Sequence, residues 1–356
     1  MVGRNRRAFA ERGPGGPGGS GGHGGHGGSG GSGGSGPGGG SGPGGEEGPG
    51  GEDAAVRRIA AVLGRASGPP PPGAVWIGDD AAVVASPPGP LVLATDAVVA
   101  GVHADLDLVG LDDLGWKALT ATVSDIGAMG ARPCHALVSL CVAPGTDLDL
   151  LVAGVAEASV RWDCPVVGGD VTGSPVVTVS VAATGVLDGP EPPVLRSGAS
   201  PGDHLAVTGP LGGSAGGLRV LRAEGAASSG PLVAAHRRPL ARLAEGRAAR
   251  SAGATAMMDV SDGLAIDLHR MADASNVGVV LDRVPVADGA TEEEALAGGE
   301  DFELVVATPD PGRLAETFAA AGLRPPVFVG RCTADPAERT IAGRPLARAG
   351  WEHRLG

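Results

Sequence analysis

Tyrosine is absent from the 356-residue sequence, and aromatic residues make up only 2% of it. A chain with so few aromatic side chains lacks the material for the stacking platforms that hold unpaired bases in many RNA-binding proteins. Its hydrophobic cores must instead be built from Val, Leu, Ala and Ile. An RNA-binding module of the stacking type is therefore excluded.

Positive charge is scarce as well. The formal net charge is -13, and Lys117 is the single lysine in the sequence. Nucleic-acid binding depends on stripes of Lys and Arg that neutralise phosphates, so the sequence predicts no nucleic-acid partner. Any binding of a smaller phosphate compound must rely on metal ions, backbone amides and a few arginines.

Cysteines and long apolar runs are also few. Cys134, Cys141, Cys164 and Cys332 show no two-residue spacing of the kind used by zinc or redox sites, which indicates small buried side chains in a reducing compartment. No apolar run approaches 18 residues, and the arginines after Met1 lead into glycine, unlike a signal peptide. We therefore expect a cytoplasmic protein that has no membrane partner.

Glycine and proline divide the chain. Residues from about 13 to 51 are almost entirely Gly, Pro and Ser, a composition that buries too little apolar surface to fold. A second Pro/Gly cluster lies near residues 188–193. We predict a disordered tail (1–52), an N-terminal domain (53–188) and a C-terminal domain (189–356). Strand and helix patterns alternate in both domains, which indicates an α/β fold of the α+β type.

Acidic residues recur at the predicted ends of buried strands in the first domain. The strand pattern 74–77 leads to Asp80, and the strand pattern 91–96 ends in Thr95 and Asp96. A predicted helix over 111–128 carries Asp125 on a face of small residues. Carboxylates in such settings are costly to bury unless a cation or hydrogen bonds hold them.

Three further acidic segments follow downstream. Asp170 ends Gly168-Gly169-Asp170, a strand-to-helix junction carries Asp259, Ser261 and Asp262, and Glu300 follows two glycines. A calcium-binding EF-hand needs a contiguous loop of alternating acids, which is missing, whereas Mg²⁺ accepts one or two carboxylates together with phosphate oxygens. A glycosidase would use paired acids around a sugar, usually with aromatic platforms, which this sequence lacks. We interpret the acids as a site for several Mg²⁺ ions and phosphate.

Taken together, the motifs resemble the thiamine-monophosphate kinase family of the aminoimidazole-ribonucleotide-synthetase-like superfamily. They occur in the family's order and span nearly everything after the glycine tail: Ile77-Gly78-Asp79-Asp80, Thr95-Asp96 with Gly101-Val102-His103, Lys117-Ala118-Leu119 with Ser124-Asp125-Ile126-Gly127, Gly168-Gly169-Asp170, Arg196-Ser197-Gly198-Ala199, Asp259-Val260-Ser261-Asp262-Gly263 and Gly298-Gly299-Glu300-Asp301. Each motif is weak alone, but together they form a specific match.

The resemblance implies ATP-dependent phosphorylation of thiamine monophosphate to thiamine diphosphate by direct phosphoryl transfer. It implies Mg²⁺ ligands at Asp80, Thr95, Asp96, Asp125, Asp170, Asp259 and Asp262, ATP contacts at Gly169, Asp170, Arg196 and Ser261, and substrate contacts at His103, Glu300 and Trp351. No further catalytic residue is implied. It also implies a two-domain protomer that forms a homodimer through its N-terminal sheets. Ala94 departs from the family, which often has a Ser ligand there.

Two alternatives stay open at this point. Other members of the superfamily use the same fold on other substrates, although the reactive cysteines of selenophosphate synthetase and of the hydrogenase-maturation protein have no counterpart here. A nucleotide-sensing protein that binds ATP without turnover would keep the acids as well. An assay for ADP formation separates this second alternative from a kinase.

Overall fold

The computed structural model describes residues 52–353, so residues 1–51 of the predicted tail lie outside the described part of the chain. Its helices are α1 (Glu52–Ser67), α2 (Leu111–Ala128), α3 (Leu148–Trp162), α4 (Gly213–Glu224), α5 (Pro231–Arg237), α6 (Leu243–Ser251), α7 (Leu264–Ser275), α8 (Glu292–Ala297) and α9 (Pro311–Ala320). Among the described residues, no helix is both long and apolar enough to cross a membrane.

The strands form two separate sheets. They are β1 (Leu91–Val99), β2 (Arg132–Val142), β3 (Val166–Gly173), β4 (Thr178–Val186), β5 (His204–Val207), β6 (Ala256–Asp259), β7 (Gly278–Leu281), β8 (Leu304–Thr308), β9 (Val327–Thr333), β10 (Arg339–Ile341) and β11 (Arg344–Pro345). The order is β1-β4-β2-β3 in the first sheet and β11-β10-β7-β9-β5-β8-β6 in the second. Mixed sheets with packed helices confirm the predicted α/β class.

Helices α2 and α3 cover one face of the first sheet. Leu119, Val123 and Ile126 fall on one face of α2 and are fully buried. They share a core with β4 residues such as Val179 and Val181. The two helices approach so closely that a Cβ atom on Gly154 would lie 1.8 Å from the Asp112 carbonyl oxygen. Glycine is therefore required at this crossing.

Replacing Gly154 with Ala is expected to destabilise the protein by roughly 2 kcal/mol or more, because the new methyl group must push the two helix backbones apart. The matched control is Gly64→Ala in α1, where a Cβ meets nothing within 4 Å. That change should instead stabilise the helix by up to about 1 kcal/mol. Urea denaturation of both variants measures the difference, and equal stabilities would contradict the packing argument.

The second sheet is covered on both faces. Alternate residues of β8 belong to two hydrophobic cores on opposite faces of the sheet. Val305 packs with Leu264 and Leu268 of α7, whereas Val306 packs with Phe318 of α9. All five residues of β8 are buried, so the strand reads as a continuous apolar run. Because α7 and α9 pack on the two faces of β8, they hold the start of this strand in place. The loop just before it carries Glu300.

Two strand predictions near the acids are wrong in detail. The predicted strand at 74–77 is reduced to one bridge between Val75 and Val83. Asp96 lies inside β1, paired in register with Val181, and Asp170 lies inside β3, paired with Ser139. Both acids therefore project from the faces of a sheet, and neither ends a strand.

Candidate active site

A cavity of about 730 Å³ lies where the helices of the first sheet meet the loops of the second. Six of the residues predicted for the site line it: Asp96, His103, Ser261, Asp262, Glu300 and Trp351. Asp96 comes from β1 and His103 from the turn after it. The other four come from the second half of the chain, so the cavity joins residues far apart in sequence.

A cluster of carboxyl groups adjoins the cavity through Asp96. The side chains of Asp96 and Asp125 lie within hydrogen-bonding distance of each other. Asp259 is buried next to them, and its Oδ2 accepts a hydrogen bond of 2.7 Å from the Ser124 hydroxyl group. These acids come from β1, α2 and β6, which explains how three distant sequence motifs contribute to one place.

Burial and mutual repulsion both disfavour the charged forms of these acids. Burial, and then the charge of Asp96, raise the pKa of Asp125 to about 7, while the charge of Arg196 opposes the rise. Burial, and then the charge of Asp125, raise the pKa of Asp259 to about 8. Asp259 is buried, whereas Asp96 is half-buried and Asp125 is exposed, so a cation can approach the cluster from solvent and stabilise the ionised carboxyl groups. The donor set therefore fits divalent metal ions.

The cluster is not a complete metal cage. Across residues 52–353, no group of three or more His, Cys, Asp or Glu side chains is arranged to hold a metal ion by itself. Mg²⁺ usually takes one or two carboxylates per ion and fills the remaining positions with water and phosphate oxygens. Substrate phosphates would thus supply part of the coordination.

The junction between β6 and α7 is shaped by Asp267, a residue that the sequence motifs did not predict for the site. Its Oδ2 accepts hydrogen bonds from the backbone N–H groups of Ser261, Asp262 and Gly263 at 3.1 to 3.2 Å. The side chain of Asp262 forms an ion pair with Arg270, and the Arg270 Nη1 lies 2.5 Å from the Asp262 Oδ2. These contacts define the conformation of the junction. Because its N–H groups turn inward to Asp267, they are not available to a phosphate.

Another part of the cavity is lined by histidine and tryptophan rings. His103 Nδ1 accepts a hydrogen bond from the backbone N–H of Val99, 3.0 Å away, so a neutral ring carries its proton on Nε2. Trp351 is 49% exposed, and its ring lies 6.0 Å from that of His353. His353 in turn lies 5.2 Å from the His103 ring. In a chain this poor in aromatic residues, these rings form a surface suited to a flat heterocycle.

The remaining predicted residues lie elsewhere in the chain. Asp80, Gly169 and Asp170 line a second cavity of about 370 Å³, whose apolar wall comes largely from α1, α3 and β2. Strands β1 and β3 are the two edges of the first sheet, so Asp96 and Gly169 are about 14 Å apart across it. Thr95 points to the opposite face from Asp96 and donates a hydrogen bond of 3.0 Å to the Val181 carbonyl oxygen.

A single protomer thus brings together Asp96, Asp125, Asp259 and the wall residues of the larger cavity. It does not bring Asp80, Gly169 and Asp170 to them. Lys117, to which the motifs assigned no role, lies in the cavity wall and is 2% exposed. One signal was present, since it is the only lysine and lies in a helix made largely of apolar and small residues.

Two family models match this chain. The family model for the N-terminal domain of AIR synthase related proteins matches residues 78–187, and the model for the C-terminal domain matches residues 200–343. These ranges contain the first sheet and nearly all of the second. They include every predicted site residue except Arg196, which falls between the two ranges, and Trp351.

The chain is 37% identical to thiamine-monophosphate kinase from Mycobacterium tuberculosis over 292 residues, which cover 77% of this chain and 84% of the relative. It is 40% identical to the kinase of the same name from Halobacterium salinarum, with 67% and 83% covered. The chain belongs to the thiamine-monophosphate kinase family. Its resemblance in sequence motifs to that family is thereby confirmed.

Solved structures of the family show the same architecture. The crystal structure of thiamine-monophosphate kinase from Stenotrophomonas maltophilia has a TM-score of 0.70 and 30% identity, with 82% of this chain and 97% of that chain covered. A structure described as AaThiL complexed with AMPPCP and TMP has a TM-score of 0.66 and 30% identity, with 74% and 87% covered. The hydrogenase-maturation protein HypE, at 21% identity, shares the fold.

Proposed function

We propose that this protein transfers the γ-phosphoryl group of ATP to thiamine monophosphate and so produces thiamine diphosphate. The observation that carries the proposal is the larger cavity, which places an acid cluster beside a wall of aromatic and polar side chains. The acid cluster suits metal-bound phosphates, and the part lined by rings suits a heterocyclic substrate. The family to which the chain belongs has the same activity by name.

The acceptor in this reaction is already a phosphate anion, so no strong base has to be provided. We assign metal binding to Asp96, Asp125, Asp259 and Asp262, completed by Asp80, Thr95 and Asp170. Mg²⁺ bound by these side chains would neutralise the charge of the donor and acceptor phosphates. The protein's own task is then to hold the two substrates in line and to exclude water.

The part of the larger cavity that is lined by rings is assigned to thiamine monophosphate. The rings of Trp351 and His353 give a flat surface for a heterocycle, and His103 offers an Nε2–H donor. Glu300 presents a carboxylate that suits a positively charged ring or an amino group. Arg196, whose charge acts on Asp125, is assigned to the nucleotide phosphates together with the hydroxyl group of Ser261, since the Ser261 N–H is held by Asp267.

The smaller cavity is assigned to the base of ATP. Its walls include Val152 and Val155 of α3, and Gly169 and Asp170 line it as well. A Cβ atom on Gly169 would lie 1.9 Å from the Val138 carbonyl oxygen, so only glycine allows the strands to approach at this point. An apolar slot beside backbone groups is typical of sites for planar ligands.

A homodimer would bring together the two edge strands that carry Asp96 and Asp170. The uncovered face of the first sheet exposes Leu93 and Leu137, which are 72% and 47% exposed, a pattern that marks an interaction surface. If two such faces pack about a two-fold axis along the strands, β3 of the partner lies beside β1. We also assign 53–188 and 189–356 as two domains, since each contains one complete sheet.

The test is to incubate the purified protein with Mg²⁺ and ATP, adding thiamine monophosphate in one tube and free thiamine in a second. We expect chromatography to show thiamine diphosphate in the first tube only, with one ADP formed per product. ATP binding without product in either tube would contradict the proposal and favour a nucleotide-binding protein without turnover.

A further inference from the structure

A buried ammonium group lies in the wall of the larger cavity. Lys117 is 2% exposed, although lysine is almost never buried unless it is paired. Its Nζ lies 2.6 Å from Oε2 of Glu300 and 3.3 Å from the carbonyl oxygen of His103. The side chain therefore makes two specific contacts inside the protein.

These two partners come from different halves of the chain. His103 follows β1 in the first half of the chain, whereas Glu300 precedes β8 in the second half and is separated from Lys117 by 183 positions. Both residues are assigned above to the organic part of the substrate. One ammonium group thus fixes the position of one substrate-contacting residue relative to the other.

The backbone around Glu300 is strained in a way that needs such support. Glu300 and Phe302 have φ angles of 65° and 50°, which are uncommon for residues other than glycine. Their N–H groups are held by the carbonyl oxygens of Ser261 and Val260 at 2.8 and 3.0 Å. Strained backbone of this kind persists where surrounding contacts define it, and it is concentrated at functional sites.

A neighbouring histidine, His236, does not supply the positive charge that faces Glu300. His236 Nδ1 lies 3.9 Å from Glu300 Oε2 and 3.1 Å from the Ser214 hydroxyl oxygen. Burial, and then the charge of Lys117, lower the pKa of His236 to about 3, so the ring is neutral near neutral pH. The positive charge facing Glu300 at this point is that of Lys117.

We propose that Lys117 is a positioning residue, which holds the Glu300 carboxylate against the His103 backbone so that Glu300 meets the organic part of the substrate. The inference rests on the proposed function and extends it to a residue outside the assigned contacts. Within the described residues, the Glu300 carboxylate accepts its hydrogen bond through Oε2. Oε1 is then left to face a donor on the substrate.

Lys117→Met tests the inference, because it removes the charge and both contacts but keeps a side chain of similar length. We expect the KM for thiamine monophosphate to rise about tenfold or more, as for the loss of a hydrogen bond to a charged group. The KM for ATP should stay within about twofold of the wild-type value. Lys117→Met combined with Glu300→Gln should raise the KM no further than the larger single effect, since both changes act through one carboxylate.

Arg242→Met is the matched structural control. It breaks an ion pair with the buried carboxylate of Glu303, 2.7 Å away, which does not line the cavity. We expect a lower melting temperature for this variant with an unchanged KM. If Lys117→Met does not fold, Lys117→Gln, which keeps an N–H donor, is measured by the same criteria.

Three results would overturn the inference. They are an unchanged KM for thiamine monophosphate in a folded Lys117 variant, equal increases in the KM for ATP, and independent effects in the double variant. Turnover by the wild-type protein separates this failure from failure of the proposed function. A wild-type protein without turnover overturns both.

Discussion

Asp96→Asn and Asp125→Asn should each lower the rate of thiamine diphosphate formation by at least about a hundredfold, the usual cost of losing one strong electrostatic stabiliser at a reacting centre. The two carboxyl groups touch each other, and Asp125 lies beside the buried Asp259. An amide keeps the shape of the side chain but cannot supply the negative charge that a metal ligand needs. The initial rate at saturating Mg²⁺ and ATP measures the effect.

The thermal stability of Asp125→Asn should not fall with its rate. In the absence of substrates, Asp125→Asn removes a carboxyl group whose charged form is disfavoured in the folded protein, since desolvation and the charge of Asp96 raise its pKa. We therefore expect a melting temperature at or above that of the wild-type protein. Asp149→Asn, at an acid that is 56% exposed beside Arg58, is the control and should leave the rate unchanged. Near-normal turnover in both cluster variants would refute the metal-ligand assignment.

Local elements were predictable where one pattern determined them. The bounds predicted for the helix over 111–128 agree with those of α2, because apolar residues repeat on one face and acids lie in its first turn. The end of β1 was not predictable in this way. An acid after an apolar run looked like a strand end, yet pairing with β4 carries the strand on to Val99. Strand length is set by the partner, which the local sequence does not contain.

The arrangement of the site was less accessible to sequence reasoning. The motifs suggested that all the acids would converge, but the order β1-β4-β2-β3 places Asp96 and Asp170 on opposite edges of one sheet. Pairing between strands distant in sequence decides this order. The contact between Lys117 and Glu300 has the same origin, since it depends on how the two halves of the chain pack.

A heterodimer of Asp96→Asn and Asp170→Asn subunits is expected to recover about half the activity of the wild-type dimer, although each variant alone is inactive. In the proposed dimer, Asp96 of one subunit works with Asp170 of the partner subunit. One of the two sites then contains both altered residues, and the other contains neither. Two affinity tags on co-expressed subunits allow the heterodimer to be purified and assayed.

The matched control is a heterodimer of Asp96→Asn and Asp125→Asn subunits. These two acids touch within one chain, so each subunit carries a broken cluster and no intact site can form. We expect no recovery in this case. If the first heterodimer also stays inactive, Asp96 and Asp170 must act within the same subunit, and the protein would have to close the distance of about 14 Å across its own sheet. A monomer in solution would contradict the shared site directly.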